Sequence, residues 1–353
     1  MAYKRIPLKP FPNGWYTVAF SHELKNGEIL TRRFAGKDIV LFRTVSGALA
    51  IIEPYCPHLG GHFGTGGVVE GETIKCPFHY FCFDAKGACT STGYGTAPSK
   101  KLQVPVWHSA EKNGFIMLWF DEKNNPPAWE IPDEDWTGWS EPVLAEYEFD
   151  SHPQETTENS VDFGHFSIVH GYTGVETLES MNTDGPYMYA RYAMDRTADF
   201  VGKKRKVRSQ FKANIHGLGY SLVEAEVPEL GLEFRFTVMA IPTEIGKLIM
   251  RTSSRMKLMK DFSKITPLMN VLPKKLANHL ILKNAAEGFA HDVKQDFVIW
   301  KKKIYIDPPI LAKGDGPVAK YRLWTQQFYY ADSVQPDYVP HSSPDYVPHL
   351  ARI

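Results

Sequence analysis

The sequence predicts an α+β protein: a small antiparallel β unit, then a larger part in which strands alternate with a few helices. Three observations carry that reading. Residues 38–76 read as short strands punctuated by glycine turns, residues 211–254 as longer strands, and residues 285–305 place apolar side chains at helical spacing. The chain's 353 residues suit one large domain or two ordinary ones, and 43% hydrophobic residues with 13% aromatics are ample for a packed core. Forty basic and 40 acidic residues cancel, so no nucleic-acid partner is expected. The N-terminus has no apolar run behind its basic residues, and no stretch reaches the roughly 18 apolar residues of a spanning helix. Four cysteines are too few for a disulfide scaffold. The expected compartment is reducing cytoplasm, where grouped Cys and His point to metal.

Taken in order, "DIVLFRTVSGALAIIEPYC" (38–56) reads as two strands around a Ser46-Gly47 turn, and "GGVVEGETIKC" (66–76) as another tight turn and strand. At the ends of this unit stand Cys56-Pro57-His58 and, after 17 residues, Cys76-Pro77-Phe78-His79. Two thiolates and two imidazoles can bind zinc or an iron–sulfur cluster. A zinc finger would carry its histidines together on a helix, whereas here each loop offers one Cys and one His. That suits a two-iron cluster, with two thiolates on one iron and two imidazoles on the other.

The stretch resembles the Rieske [2Fe–2S] motif. In respiratory Rieske proteins each loop adds a disulfide-forming cysteine; Gly61 and Phe78 stand in the matching places here, which points to the oxygenase or ferredoxin branch. Tyr80-Phe81 replaces the Gly-Trp often seen in oxygenases, a departure expected to alter hydrogen bonding near the sulfurs. Cys82 and Cys89 lack metal spacing and read as structural thiols, and His62 as a surface residue.

A boundary is expected around residues 123–142, rich in Pro, Asn and acidic residues, which divides the chain into 1–136 and 137–353. Beyond it, "ENSVDFGHFSIVHG" (158–171) carries Asp162, His165 and His170. Two histidines and a distant carboxylate make the facial triad of non-haem Fe(II) oxygenases. Asp162 and His165, three apart, share a helical face. His165 and His170, five apart, stand roughly 140° apart on a straight helix, so both reach one iron only if the helix widens or ends between them. Gly164 and Gly171 make that feasible. Rieske oxygenase α-subunits carry this same Asp-x-x-His-x-x-x-x-His pattern, so the resemblance covers both halves. It implies a curved antiparallel sheet gripping a long helix, a helix-grip-like catalytic domain, with iron at the mouth of an apolar pocket. It also implies that Asp162 bridges to a cluster histidine of a neighbouring subunit in a ring of three. By its spacing, the Asp162 carboxylate is expected to orient the His165 ring.

The third ligand is expected from residues 285–305, where Ala285, Phe289, Val293, Ile299 and Trp300 share a face. Asp296 sits near the centre of that face, Asp292 at its edge and Glu287 opposite. A carboxylate in a buried stripe needs a partner, and iron supplies one. Asp296 is therefore the expected ligand, with Asp292 in reserve. Between the strands and this helix, residues 255–283 mix Met and Leu with seven Lys or Arg against one Asp. They read as a solvated helical insert or an amphipathic flap over the pocket, resting on a lipid surface.

The segment 295–330, with Ile299-Trp300-x-x-Lys303, Asp315-Gly316-Pro317 and Arg322-x-Trp324-x-x-Gln327-Phe328-Tyr329, resembles that of 3-ketosteroid 9α-hydroxylase oxygenases and cholesterol 7-desaturases. The resemblance implies a terminal oxygenase that uses a [2Fe–2S] cluster, Fe(2+) and O2 to hydroxylate or desaturate a C–H bond of a sterol-like apolar substrate. The alternative is a Rieske oxygenase acting on an aromatic compound by ring hydroxylation or O-demethylation. No nucleotide-binding glycine motif or plant-type ferredoxin cysteine series is present, so electrons are expected from a separate reductase, directly or through a ferredoxin. The tail repeats "DYVPH" at 337 and 345 and reads as a strap or a disordered end.

Overall fold

The computed structural model describes residues 5–200 and 203–330; the repeated tail lies outside them. The first part holds ten strands: β1 (Gly14–Phe20), β2 (Ile29–Phe34), β3 (Lys37–Arg43), β4 (Leu49–Ile52), β5 (Val68–Glu70), β6 (Thr73–Lys75), β7 (Cys82–Asp84), β8 (Cys89–Ser91), β9 (Ser109–Lys112) and β10 (Phe115–Phe120). They form three small antiparallel sheets, β1-β10-β9, β2-β3-β4 and β5-β6-β7-β8. The unbroken apolar run Ile39–Phe42 follows from this arrangement. Ile39 and Leu41 pack into a core with β1 and β10. Val40 and Phe42 point the other way, into a core with Cys56 and Cys76. A strand covered on both faces needs no polar side.

The second part is a seven-stranded antiparallel sheet of β11 (Val143–Asp150), β12 (Thr173–Asp184), β13 (Tyr187–Phe200), β14 (Lys203–His216), β15 (Tyr220–Val227), β16 (Leu232–Glu244) and β17 (Lys247–Met256). Its order is β11-β17-β16-β15-β14-β13-β12. From β12 onward the strands form a simple meander, but β11 pairs with the last strand. The chain from β11 to β12 must therefore cross from one edge of the sheet to the other. That crossing carries α1 (Pro153–Glu158) and α2 (Phe163–Ile168). A long helix, α3 (Lys274–Trp300), packs against β11, β17 and β13, and α4 (Val318–Thr325) follows.

Strand alternation then assigns the two faces of the large sheet. Tyr220, Leu222, Met239 and Ile241 join the core formed with β1 and β10. Val223, Phe236 and Val238 face the other way, toward α3, and line a cavity. One sheet thus carries the β domain on its back and the cavity on its front.

Two expectations need correction. Helix α3 begins at Lys274, eleven residues before the expected start, because Ala277, Ile281 and Leu282 continue the buried stripe N-terminally. Ile299 is 43% exposed rather than on the inner face, since the stripe passes through Val293, Asp296 and Trp300. The insert is part core and part surface. Phe262, Ile265 and Met269 pack against β14 and β15, while Leu268 and Val271 are 73% and 81% exposed.

Candidate active site and cluster site

The two Cys-Pro loops are built alike. The Cys56 N–H donates to the Gly61 carbonyl (2.8 Å) and the Gly60 N–H to the Cys56 carbonyl (2.9 Å). In the second loop the Cys76 N–H donates to the Phe81 carbonyl (2.8 Å) and the Tyr80 N–H to the Cys76 carbonyl (3.1 Å). The fourth residue after each cysteine is left-handed, Gly60 at φ 76° and Tyr80 at φ 57°. The Gly-to-Tyr departure at position 80 therefore bears on backbone strain, roughly 1–2 kcal/mol, and leaves this loop hydrogen bond in place.

Both cysteines are buried, and the His58 and His79 rings stand 5.0 Å apart. His58 stacks on Phe81 at 4.2 Å. A Cβ at Gly61 would lie 2.8 Å from the Cys76 sulfur, so only glycine leaves room in the first loop for the second loop's thiol. Burial pushes the Cys56 thiol up to about 11, so a thiolate there needs a cation beside it. Two buried thiols and two converging imidazoles are a donor set that fits a [2Fe–2S] cluster. Cys82 lies buried at the start of β7 and Cys89 on β8, outside the four-residue set. The His62 ring packs edge-on against Tyr55 at 5.1 Å.

The second group lies on the crossing segment. Asp162 caps α2, its Oδ1 accepting from the His165 N–H (3.3 Å). The helix ends at Ile168, and the His165 carbonyl accepts from both Val169 (2.8 Å) and His170 (3.3 Å). That bond from five residues on is the widened turn the spacing requires, and Gly171 at φ 70° turns the chain away afterwards. The donor atoms of His165, His170 and Asp296 all lie within 4.8 Å of one another. His170 Nε2 stands 3.7 Å from Asp296 Oδ2. Asp292, the reserve, does not join them; its carboxylate takes the Tyr172 hydroxyl.

Each imidazole has one nitrogen already engaged. His165 Nδ1 meets the Asp162 main-chain carbonyl at 2.5 Å, while the Asp162 carboxylate stays 4.0 Å from that nitrogen. This corrects the expectation that the carboxylate orients the ring: the N-cap geometry turns the side chain toward the helix N–H instead. His170 Nδ1 meets Gln295 Oε1 at 2.9 Å. Both rings therefore hold Nδ1–H as a donor and leave Nε2 as a lone-pair donor to a metal. Burial, with His170 nearby, lowers His165 to about 4, so it is neutral and ready to ligate. Burial raises Asp296 to about 6, opposed by His170 and Asn159 and reinforced by Asp292 and Asp162. Two imidazoles and one poorly solvated carboxylate fit a single Fe(II). Gln295 and Tyr172 escaped the sequence reading; their only signal was being neighbours of the chosen ligands.

These groups open onto a cavity of about 180 Å³, lined by Phe166, Phe211, Val223, Phe236 and Phe289 among others. The C-terminal segment holds the crossing in place. Arg322 donates through Nε (2.7 Å) and Nη2 (2.9 Å) to Glu158 of α1. Tyr321 donates to the Gln154 carbonyl and Tyr329 to its side chain. A Cβ on Gly316 would fall 2.1 Å from the Val161 carbonyl.

The Rieske [2Fe-2S] domain family matches residues 14–104. The 3-ketosteroid 9alpha-hydroxylase C-terminal domain family matches residues 118–329, more than half of the chain. The chain belongs to this family of Rieske oxygenases. As such it carries a [2Fe–2S] cluster and a mononuclear Fe(II). Among its relatives, cholesterol 7-desaturase of Caenorhabditis elegans is 31% identical over 354 residues, covering 92% of this chain and 78% of that one. The oxygenase component of 3-ketosteroid-9-alpha-monooxygenase of Rhodococcus rhodochrous is 27% identical over 334 residues, 90% of this chain and 81% of that one. In fold, this Rieske oxygenase is similar to NdmA of Pseudomonas putida CBB5 with caffeine (TM-score 0.67, 16% identity, 88% and 89% of the two chains). It is also similar to dicamba monooxygenase bound to dicamba (TM-score 0.62, 18% identity, 90% and 97%).

Proposed function

We propose that this Rieske oxygenase is the terminal component of an electron-transfer system and hydroxylates or desaturates a C–H bond of a steroid or sterol-like substrate. The observation that carries the reading is the His165–His170–Asp296 group opening onto an apolar cavity, in a chain whose relatives are named for steroids and sterols. The aromatic alternative rests on similarity of fold alone.

In this reading residues 1–136 form the cluster domain and 137–353 the catalytic domain. Cys56 and Cys76 hold one iron of the cluster, His58 and His79 the other, and His165, His170 and Asp296 hold Fe(II). When bound, the cluster supplies single electrons and the mononuclear iron activates O2. The protein's own work is positional. The Asp162 carbonyl and Gln295 hold the two imidazoles with Nε2 turned to the metal. The phenylalanine-rich walls exclude water and hold a hydrocarbon body against the iron.

Electrons come from a reductase, directly or through a ferredoxin. The working form is a homotrimer in the cytoplasm, in which Asp162 links each iron site to the cluster of the next chain. No helix among the described residues is long and apolar enough to cross a membrane. The exposed Leu268 and Val271, near Lys264 and Lys274, suit peripheral contact with a lipid surface from which an apolar substrate is taken.

Metal analysis of the variants tests the assignment. Purified protein is expected to hold about three iron atoms per chain, from one two-iron cluster and one mononuclear site. His58→Ala or His79→Ala abolishes the cluster's visible absorption. His165→Ala, His170→Ala or Asp296→Ala keeps it but loses one iron and all turnover. Retained mononuclear iron in Asp296→Ala would overturn the ligand set.

A further inference from the structure

The cavity wall is apolar except at a few points that the chemistry above does not use. On β13 the side chains of Tyr192, Met194 and Arg196 alternate onto the cavity face. Tyr192 is 2% exposed, and its hydroxyl is buried without a hydrogen-bond partner. The Nε of Arg196 is also buried without a partner. The Arg196 guanidinium lies beside the Tyr172 hydroxyl, which donates to the Asp292 carboxylate. The Tyr172 ring in turn stands 5.6 Å from the ring of His170. Tyr172, itself tied to Asp292, thus meets the Arg196 guanidinium close to the iron site, while the Arg196 Nε–H stays unused.

A buried donor with no acceptor is unfavourable in the free protein, and a ligand oxygen that meets it relieves that penalty. A purely hydrocarbon substrate would leave both the arginine and the tyrosine unsatisfied, now shielded from water as well. We propose that Arg196, supported by Tyr172 and Asp292, is a specificity-determining residue that donates to an acceptor oxygen of the substrate. Tyr192 is a second recognition point on the same strand. The inference rests on the steroid reading and deepens it: the substrate has an apolar body and at least one oxygen, as ketone, hydroxyl or carboxylate. A guanidinium favours these in the order of their negative charge.

The test uses the holoenzyme and four probes: a ketosteroid, the matching sterol, the matching deoxygenated hydrocarbon, and a steroid with a side-chain carboxylate. Equilibrium binding gives the affinity of each, and the tightest of the three oxygenated probes identifies the oxygen function. Wild-type protein is expected to prefer an oxygenated probe to the hydrocarbon by about tenfold or more, as sites built around a hydrogen bond do. Arg196→Met is expected to erase that preference while changing hydrocarbon affinity by less than about threefold. Arg196→Lys retains part of the preference, and Tyr172→Phe, which removes the supporting hydroxyl, reduces it. Tyr192→Phe lowers affinity for a doubly oxygenated steroid more than for a singly oxygenated one. Iron content and cluster absorption report that each variant is folded. If Arg196→Met loses them, Arg196→Lys and Tyr172→Phe decide. Unchanged preference in these variants, with steroids still bound and turned over, overturns the anchor alone. Failure of wild type to bind any steroid overturns the steroid reading and the anchor with it.

Discussion

Gln295 shows what a single side chain contributes to this site. It precedes Asp296 on α3, and its amide oxygen meets His170 Nδ1 at 2.9 Å, so one helix supplies both a carboxylate and the group that orients a histidine 125 residues away in sequence. Such partners commonly change metal affinity by about 10- to 100-fold. Gln295→Ala is expected to weaken mononuclear iron binding by that amount and leave the cluster spectrum unchanged, which iron titration with parallel absorbance measures. Equal iron affinity would mean that Gln295 only fills space. The sequence cannot reveal this pair, because nothing local in "HDVKQDFVIW" distinguishes Gln295 from a solvated helix residue. The Cys and His types and spacings were legible because coordination chemistry limits them strongly. The left-handed backbone at Tyr80 was not, because no side-chain pattern marks it.

At the scale of elements, α1 shows how the crossing segment is secured. His152 caps it: Nδ1 accepts from the Gln154 N–H (3.1 Å), and Nε2 donates to the Lys9 carbonyl (2.8 Å). Full burial lowers its pKa to about 4, against a normal value near 6.5, despite the opposing bond to Lys9. The folded state therefore binds this proton less readily than the unfolded chain. The neutral cap stabilises fully above pH ~6.5, and that stability is lost as pH falls toward about 4. Between pH ~7 and ~5 the contribution falls by about 2 kcal/mol. His152→Asn keeps a capping oxygen without titrating, so its unfolding midpoint should fall less over that interval than that of wild type. Parallel pH profiles would contradict the assignment. Strands β15 to β17 were readable from their residue pattern and the C-terminal half of α3 from its stripe, whereas β1, β2, β9, β10, β12 and β13 were not read. The widened turn between His165 and His170 was deducible only as a requirement of the spacing. The cap at Asp162 was misread because three-residue spacing suits a side-chain contact to the ring as well as one to the backbone N–H.

At the scale of the whole molecule, one chain carries two metal sites that share no lining residue: the cluster loops end the small sheets, and the triad opens into the front of the large one. Asp162 keeps a partly exposed carboxylate whose Oδ1 caps α2 and whose Oδ2 is 4.0 Å from His165 Nδ1. In the proposed trimer that group meets a cluster histidine of the next chain. Asp162→Asn preserves the cap and the carbonyl that holds His165, so iron loading and trimer should survive. Substrate-dependent reoxidation of the reduced cluster should slow by orders of magnitude, on the order of losing an essential electron link. Single-turnover stopped-flow absorbance reads this, and near-normal reoxidation would refute the bridge.

The central claim, O2-dependent attack on a C–H bond of a sterol-like substrate, is tested most directly by mass spectrometry of products. The holoenzyme is supplied with a surrogate reductase, isotopically labelled O2, and a panel of sterols, ketosteroids and small aromatics. The account predicts that a steroid or sterol gains one labelled oxygen atom or loses two hydrogens, in step with O2 consumption. Turnover of small aromatic acids with no change to any steroid would contradict it.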